Sequence, residues 1–337
     1  MHVISASRRT DIPAFYPEWF INRLKAGYCH SRNPFGGQVY RVSLVPEDCL
    51  AIFFCTRNPM PLEQHLDWLD EKGYHYYFHL TINGYPAVLD PHGPPWEAAV
   101  DVFRRLSDRL SPELVLWRYD PIVISSVTPV DFHVRNFERL AERLEGYTRR
   151  CYFSFMNPYI KTRRRLAEVA RREQVTFPDT ETPDTASGAV TSEAQPAEWA
   201  AERLSLASDL AAIASARGIT MHSCCGPSLV QGPIERASCV DIEVVRRLSG
   251  RPGLVLPRAP TRQGCGCAAA IDIGAYDTCL HGCVYCYATR SHTLAVSHSR
   301  QHDPGDSILF RPPPLRGVDL SKVEVPLKRA EADTGRG

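Results

Sequence analysis

The sequence predicts a single α/β domain, built as a full or partial (β/α) barrel of the TIM type. Short apolar runs alternate with helical patterns of about ten to fifteen residues, which is typical of a parallel sheet covered by helices. Polar residues follow several of the apolar runs, as they do at the carboxyl ends of barrel strands. The 337 residues, 44% of them hydrophobic, are enough to bury one large core.

The elements of the first half are predicted from hydrophobic period and from the residues that end each run. Residues 2–6 predict the first strand, and residues 17–26 the first helix. The helical period of 61–72 ends at Gly73. Further strands are predicted at 50–55, 76–82, 114–118 and 151–155, and further helices at 96–110 and 130–144.

The second half has a different composition. Residues 176–197 are rich in Thr, Pro, Ser and acidic residues, which predicts a flexible polar insert. A helix at 198–217 and a short strand at 219–222 lead into a cysteine-rich region over 222–290, in which 269–276 predicts another strand. We expect one domain over 1–325 and a disordered tail over 326–337.

Composition and charge exclude some classes of function. The 39 basic and 38 acidic residues leave a net charge of +1, so no overall field attracts nucleic acid or a membrane surface. A local basic groove stays open as an alternative. The first residues are too short and polar for a signal peptide, and no apolar run reaches the roughly 18–20 residues that span a bilayer. We therefore expect a soluble cytoplasmic protein with no membrane partner.

Twelve cysteines are unevenly distributed, and eight of them lie between Cys224 and Cys286. Cytosolic thiols stay reduced, so this cluster indicates metal chemistry and not a disulfide framework. Cys279, Cys283 and Cys286 have the spacing C-x3-C-x2-C. Three such thiolates can bind three irons of a 4Fe–4S cluster and leave the fourth iron for a small molecule. The alternative is a zinc knuckle completed by His281 or by Cys265 and Cys267.

A second set of four thiols is predicted as another metal site: Cys225, Cys239, Cys265 and Cys267. Four thiolates suit an auxiliary 4Fe–4S cluster or a structural zinc ion. Reduced, buried thiols are the other alternative. Cys224 precedes Cys225 directly, so either member of this pair can serve as the ligand.

The triad spacing resembles the signature of the radical S-adenosylmethionine enzymes. The resemblance implies a 4Fe–4S cluster whose unique iron is chelated by the amino and carboxylate groups of S-adenosylmethionine. One electron then cleaves the sulfonium C–S bond and gives methionine and a 5′-deoxyadenosyl radical. An aromatic residue before the last cysteine helps to seat the adenine in that family, and Tyr285 stands there. Because the triad begins only at Cys279, the resemblance implies a circularly permuted barrel.

Polar residues recur after the first predicted strands. They are Arg8 and Asp11, then Thr56, Arg57 and Asn58, then Thr81 and Asn83, and finally Arg118 and Asp120. Because active sites of parallel sheets lie at the carboxyl ends of the strands, we expect these groups to bind S-adenosylmethionine or substrate in one pocket. For each residue, the alternative is a loop-capping or salt-bridging role.

Long stretches of the chain are similar to a bacterial family of unknown function, the DUF1848 domain family. The stretches are SRRTDIPAFYPEWF, TRNPMPL, LTINGY, RYDPI, and CGC followed by IDIGAYDTCLHGCVYCYA. This resemblance implies an iron–sulfur, radical S-adenosylmethionine-like protein and supplies no substrate. The blocks TRNP and RYDP, with the triad, are also locally similar to the spore photoproduct lyase group, which repairs thymine dimers.

The sequence and its resemblances therefore predict an enzyme that uses one or two 4Fe–4S clusters and S-adenosylmethionine. Its substrate, a small molecule or a macromolecule, stays open, and a flavodoxin or ferredoxin is the expected reductant. Nucleic acid is not indicated as a partner. The alternatives are a non-catalytic iron–sulfur or zinc-binding protein, such as an electron carrier, and a lyase that repairs DNA photolesions.

Overall fold

A computed structural model of the chain describes residues 1–178, 197–260 and 264–326. Within these residues the fold is α/β, as predicted, and its main feature is an eight-stranded parallel sheet. The strands are β1 (His2–Ser5), β4 (Cys49–Thr56), β5 (Tyr76–Thr81), β6 (Val115–Ile122), β7 (Arg150–Phe155), β8 (Thr220–Ser223), β9 (Ile234–Arg236) and β10 (Ile271–Asp272). A smaller sheet contains β2 (Tyr28–Arg32), β3 (Val39–Ser43) and β11 (Glu324–Val325).

The order of strands across the main sheet is β10-β1-β4-β5-β6-β7-β8-β9. From β1 onward, neighbours in the sheet follow the order of the chain, whereas β10 is late in the chain and pairs with β1. Its register sets Ile4 beside Ile271 and Ser5 beside Asp272. Because all of these pairs are parallel, the carboxyl ends of the eight strands lie along one edge of the sheet.

The helices of the described residues include every predicted helix and several that were not predicted. They are α1 (Ile12–Phe15), α2 (Pro17–Ala26), α3 (Met60–Glu63), α4 (Leu66–Glu71), α5 (Trp96–Arg109), α6 (Val130–Leu144), α7 (Ile160–Glu173), α8 (Ala197–Ser215), α9 (Ile242–Ser249) and α10 (His292–Arg300). The helix predicted over 61–72 is divided into two. The two parts are separated by a tighter turn of the 3-10 type, because the His65 amide donates to the Leu62 carbonyl three residues back.

Side chains alternate between the two faces of the main sheet along each strand, which divides the core into two layers. Phe54 and Phe78 stack with ring centroids 4.9 Å apart in the larger cluster, which also contains the buried face of α6. Their sequence neighbours, Phe53 and Tyr77, point to the opposite face and pack with buried cysteines. Each buried aromatic ring contributes on the order of 2 kcal/mol through burial of apolar surface. The cysteine-rich region therefore covers one face of the main sheet.

Two predicted segments fall partly outside the described residues. The predicted polar insert over 176–197 is described only at its two ends, and Phe177 is buried there beside Leu166 and Val169. The predicted tail over 326–337 lies outside the described residues beyond residue 326. Among the helices in the described ranges, none has both the length and the apolar character needed to cross a bilayer.

Candidate functional site at the carboxyl edge of the sheet

The carboxyl edge of the main sheet brings the predicted triad together with the predicted polar residues. The triad loop runs from Cys279 to Cys286 and follows β10, the strand at one end of the sheet. The strand predicted over 269–276 is limited to two residues because the chain leaves the sheet at Gly274. A Cβ on Gly274 would stand 2.1 Å from the Ser7 hydroxyl, so only glycine permits this close turn.

The triad loop is compact, and its three sulfurs are close enough to interact electrostatically. The Cys286 amide donates to the Cys283 carbonyl at 3.1 Å, and the Ala288 amide donates to the Cys286 sulfur at 3.3 Å. Burial raises the pKa of the Cys279 thiol to about 12, and Cys286 adds to this rise. Gly282 has a φ of +68°, and a Cβ there would stand 2.9 Å from the ring of His92.

A buried ion pair lies against the triad. The guanidinium of Arg57 binds both carboxylate oxygens of Asp90, at 3.1 and 2.6 Å, and the two side chains are 13% and 4% exposed. The same Arg57 Nη1 is 3.3 Å from the Cys283 sulfur. Although burial disfavours its charge, the Asp90 carboxylate raises the pKa of Arg57 well above its usual value. A fixed positive charge therefore lies at one triad sulfur.

Tyr285 joins this ion pair through its hydroxyl group. The hydroxyl accepts from Arg57 Nη1 at 2.7 Å and donates to Asp90 at 2.7 Å. It also accepts from the amide of Asn83 at 3.1 Å. The side chain is buried, and its ring packs edge to face with Tyr85 at 5.8 Å. Tyr285 is therefore held rigidly beside the triad.

Asp11 connects three parts of the site. Its Oδ2 accepts from the backbone amide of Arg57 at 2.7 Å and from the ring of His281 at 2.8 Å. Its Oδ1 accepts from the Ala14 amide at the start of α1. The carboxylate thus fixes the loop after β1, the end of β4 and the triad loop relative to one another.

Asp272 performs a similar task at the junction of β10 and β1. It accepts hydrogen bonds from the hydroxyl groups of Ser5 and Ser7, and from the backbone amides of Arg8 and Gly274. The Arg8 guanidinium lies 3.8 Å from the same carboxylate. The predicted cofactor-binding residue Arg8 is thereby held between the first strand and the triad strand.

The second cysteine group comprises Cys224, Cys225, Cys239, Cys265 and Cys267. The sulfurs of Cys224 and Cys239 are 3.9 Å apart. The backbone amide of Cys239 donates to the Cys267 sulfur at 3.2 Å. Hydrogen bonds from the thiols of Cys224 and Cys267 lower the pKa of Cys239 well below its usual value. Three separate stretches of chain thus bring their thiols together on one face of the sheet.

Arg118 and Asp120 connect the second cysteine group to the polar edge. Arg118 Nη1 donates to the Cys239 sulfur at 3.1 Å, and its Nη2 binds Asp120 closely. Asp120 also accepts from the Ser154 hydroxyl, and its amide donates to the side chain of Asn83 at 2.9 Å.

A continuous hydrogen-bond path therefore joins the two cysteine groups. It passes from Cys239 through Arg118, Asp120, Asn83, Tyr285 and Arg57 to Cys283.

Other predicted residues have local contacts. The Thr56 hydroxyl accepts from the Asn58 amide at 3.0 Å, and the Asn58 side chain accepts from the Met60 amide at 3.3 Å. Both contacts order the turn between β4 and α3. Thr81 is the half-buried last residue of β5. These three residues lie at the predicted edge of the sheet.

Sequence reasoning missed at least three residues of the site, Asp272, Asp90 and Arg165. Asp90 lies in the irregular segment between β5 and α5, where no strand end or motif marked it. Arg165 belongs to the basic run over 161–165, whose successive charges predict a solvated helix face. Its guanidinium instead donates to the backbone carbonyls of Cys286 and Thr289. A single arginine turned inward from a basic helix gives no signal in the sequence, because it carries the same charge as Lys161 and Arg164 of this run, which are exposed.

The triad suits a four-iron cluster better than it suits a single metal ion. Nowhere in the described ranges do three His, Cys, Asp or Glu side chains already converge to hold a single metal ion. A four-iron cluster has a different requirement, since each thiolate binds a separate iron and the sulfurs stand further apart than they do around one ion. Three thiols on one short loop, with a cation at one sulfur, fit that donor set.

Comparison with known proteins gives a family and no activity. A family model described as a domain of unknown function, DUF1848, matches residues 3–288. No match was found among curated proteins, and none among solved structures. The matched range includes both cysteine groups and every predicted polar residue. The chain therefore belongs to the DUF1848 family.

Proposed function

We propose that this protein is a radical S-adenosylmethionine-type enzyme, with a 4Fe–4S cluster bound by Cys279, Cys283 and Cys286. One observation carries the proposal: a loop with three thiols lies at the carboxyl edge of a parallel sheet, with the Arg57 cation 3.3 Å from one sulfur. Such edges are where α/β proteins build their active sites. The substrate class is not part of this proposal.

The order of strands supports a circularly permuted partial barrel. Read across the sheet, β10 comes first and β1 second, so the triad follows the first strand in space. Eight parallel strands are also the number in a (β/α) barrel of the TIM type. We propose that the sheet curves around the site in this way.

The chain's own residues would position and shield the reacting groups. When bound, the cluster and S-adenosylmethionine supply a 5′-deoxyadenosyl radical that removes a hydrogen atom from the substrate. Arg57 would offset the negative charge of the thiolate at Cys283, and Asp90 would keep the pocket close to neutral. The ring of Tyr285, fixed through its hydroxyl, would support adenine. Leu89, Val123 and Val284 would exclude water from this side of the triad.

Metal analysis of the protein purified without oxygen tests the proposal. We expect about four irons and four sulfides per chain for the triad cluster, and a reduced-state EPR signal that S-adenosylmethionine changes. Cys283→Ala should lack this signal. Cys29→Ala, which removes a buried thiol of β2 far from the triad in sequence, is the matched control and should keep it.

The product assay then separates catalysis from binding. With dithionite or a flavodoxin as reductant, the loaded protein should convert S-adenosylmethionine to methionine and 5′-deoxyadenosine. An EPR signal that ignores S-adenosylmethionine, with no 5′-deoxyadenosine formed, would instead indicate a non-catalytic iron–sulfur protein. Absence of iron from the triad would reject the proposal.

A further inference from the structure

We propose that the second cysteine group is a structural zinc site, with Cys224, Cys239, Cys265 and Cys267 as its four ligands. This inference concerns a different part of the chain from the triad and does not depend on the proposed radical chemistry. The structure brings these four thiols together from three stretches of chain around residues 224, 239 and 266.

The spacing of the sulfurs favours zinc over a second four-iron cluster. The sulfurs of Cys224 and Cys239 are 3.9 Å apart, and Cys239 contacts Cys267, which contacts Cys265. Tetrahedral zinc with Zn–S bonds of about 2.3 Å holds its thiolates about 3.8 Å apart. In a cluster, each thiolate binds a different iron, so neighbouring sulfurs are further apart. The ion would draw the four sulfurs around one point, which the described residues do not yet do.

Hydrogen-bond donors are already directed at these sulfurs. Arg118 Nη1 lies 3.1 Å from the Cys239 sulfur, and the Cys239 amide lies 3.2 Å from the Cys267 sulfur. Four thiolates around Zn²⁺ carry a net charge of −2, and a buried charge needs compensation. Arg118, itself half-buried, supplies a positive charge on the side facing the sheet.

The backbone around the group is built for close approach. A Cβ on Gly266 would lie 2.8 Å from the carbonyl oxygen of Ala237, so glycine lets Cys265 and Cys267 approach the segment before Cys239. Cys225 has a φ of +61°, which is uncommon for a residue with a side chain and marks a specified turn. That turn follows Cys224, whose sulfur is the one placed against Cys239.

The region also needs a stabilising element other than regular structure. Between α9 and β10, the described residues contain one isolated bridge, Arg258 to Ala268, and no helix or strand. The segment nevertheless covers a face of the main sheet through Cys265, Cys267 and Ala268. Structural zinc sites hold together chain segments of this kind, and their binding energy is part of the folding energy.

The test is metal content and X-ray absorption at the zinc edge, using the full chain produced with both zinc and iron. For the wild type we expect about one zinc per chain, with four sulfur ligands at about 2.3 Å. Cys239→Ser and Cys224→Ser should lose the zinc. Cys225→Ser should keep it and is the matched control, since it removes the adjacent thiol. Cys279→Ser should keep the zinc and lose iron from the triad.

Each outcome decides the question. Four sulfur ligands on zinc in the wild type support the inference even where a serine variant fails to fold. Zinc with nitrogen or oxygen ligands, or no zinc at all, overturns it. About eight irons per chain, half of which are lost in Cys239→Ser, would overturn zinc in favour of a second cluster. A wild-type protein that holds zinc at this cysteine group and no iron at the triad would support the zinc site and reject the proposed function alone.

Discussion

At the residue scale, each cysteine group has a buried or half-buried arginine at one sulfur, and each arginine has its own aspartate. Arg57 and Asp90 accompany Cys283, whereas Arg118 and Asp120 accompany Cys239. In the proposed metal sites these cations would offset the charge of the thiolates, and the aspartates hold the arginine side chains in place. Arg57 directly follows β4, whereas Arg118 lies within β6, because that strand continues to Ile122 and not only to the predicted residue 118. Both positions are therefore set by the backbone of the sheet.

Arg57→Gln is expected to lower the reduction potential of the triad cluster. The reduced cluster is more negative than the oxidised one and therefore loses more stabilisation when the cation at Cys283 is removed. A hydrogen bond to a charged group is worth about 1.5 kcal/mol, which for one electron corresponds to a fall on the order of 60 mV. Spectroelectrochemical titration measures the potential.

Two further variants control this measurement. Arg57→Gln combined with Asp90→Asn keeps the pocket neutral and should still show the lower potential. Arg105→Gln removes an exposed arginine and should leave the potential unchanged. An unaltered potential in both Arg57 variants would exclude a role for this cation in setting it.

Tyr285→Phe is expected to destabilise the protein and to preserve the binding of S-adenosylmethionine. The hydroxyl contacts Arg57, Asp90 and Asn83, so its removal takes one hydrogen bond from each of these three buried polar groups, at a cost of about 1–3 kcal/mol. The ring that would support adenine is retained. Urea unfolding measures the stability, and the EPR change on adding S-adenosylmethionine measures binding.

Tyr287→Phe serves as the comparison, because this neighbour is 45% exposed and its hydroxyl has one backbone partner. Its unfolding free energy should change much less. Equal destabilisation by the two substitutions would mean that the buried network around Tyr285 contributes little.

The sequence allowed the triad and most of the polar residues of the edge to be predicted, because both depend on local order along the chain. Spacing marked Cys279, Cys283 and Cys286, and the ends of apolar runs marked Arg57 and Asp120. Pairings between distant segments could not be predicted in this way. Asp90 reaches Arg57 from an irregular segment, and Arg118 meets Cys239 across more than a hundred residues.

At the scale of elements, a substitution at Gly266 measures how much the close packing of the cysteine segments contributes to stability. Gly266→Ala should destabilise the protein and weaken metal binding at the proposed zinc site, since its Cβ would lie 2.8 Å from a backbone oxygen that cannot move aside easily. Overpacking of this kind typically costs about 1–3 kcal/mol. Gly253→Ala meets nothing within 4 Å and should be nearly neutral. Equal thermal unfolding curves for the two variants would contradict this view.

His133 is expected to make the protein sensitive to acid through the contact between α6 and β6. Its ring donates to the Val123 carbonyl at 3.0 Å and accepts from the Tyr119 hydroxyl at 2.9 Å. Burial lowers the pKa of His133 from 6.5 to about 4. Between pH 6.5 and 4 the His133 ring therefore binds a proton in the unfolded chain and stays neutral in the folded chain. The contribution of His133 to the unfolding free energy is therefore fully present above pH 6.5. The unfolding free energy falls by about 3 kcal/mol as the pH drops to 4.

His133→Gln should make the unfolding free energy less dependent on pH between 6.5 and 4. Urea denaturation at several pH values measures this slope. His75→Gln, at an exposed position of the same residue type, should keep the slope of the wild type. An unchanged slope in His133→Gln would assign the acid sensitivity to other groups.

The main sheet and most of its helices were predictable, because their apolar residues follow a clear period of two or of about 3.6. The helix α6 was predicted at its observed bounds for this reason. The small sheet was not predicted. Strand β2 contains His30 and Ser31, which are buried yet polar, so its sequence lacks an apolar signal. Strands β9 and β11 were not predicted either, because they have three and two residues and depend on distant partners. Strand β10 was predicted over 269–276 and has two residues.

At the scale of the whole molecule, Asp272 joins the two ends of the matched region. It links β10 to the loop after β1 through four hydrogen bonds. Asp272→Ala should lower the unfolding free energy by about 3 kcal/mol or more, because several buried donors lose their acceptor together. Iron bound at the triad should also decrease, since the loop that follows β10 loses its anchor.

Iron content and unfolding should be measured together for this variant. Asp303→Ala, which removes an exposed carboxylate with a local contact to Gly305, is the control and should retain both properties. Full iron content in Asp272→Ala would show that the triad loop is positioned without this junction.

The pairing of β10 with β1 also means that the two neighbouring strands are synthesised at different times. A ribosome makes β1 through β9, together with Arg57, Asp90 and Arg118, before the triad cysteines leave the exit tunnel. Until β10 arrives, β1 has an unpaired edge that is open to wrong partners. The proposed cluster at the triad can therefore be completed only after the strands from β1 to β9 have been synthesised.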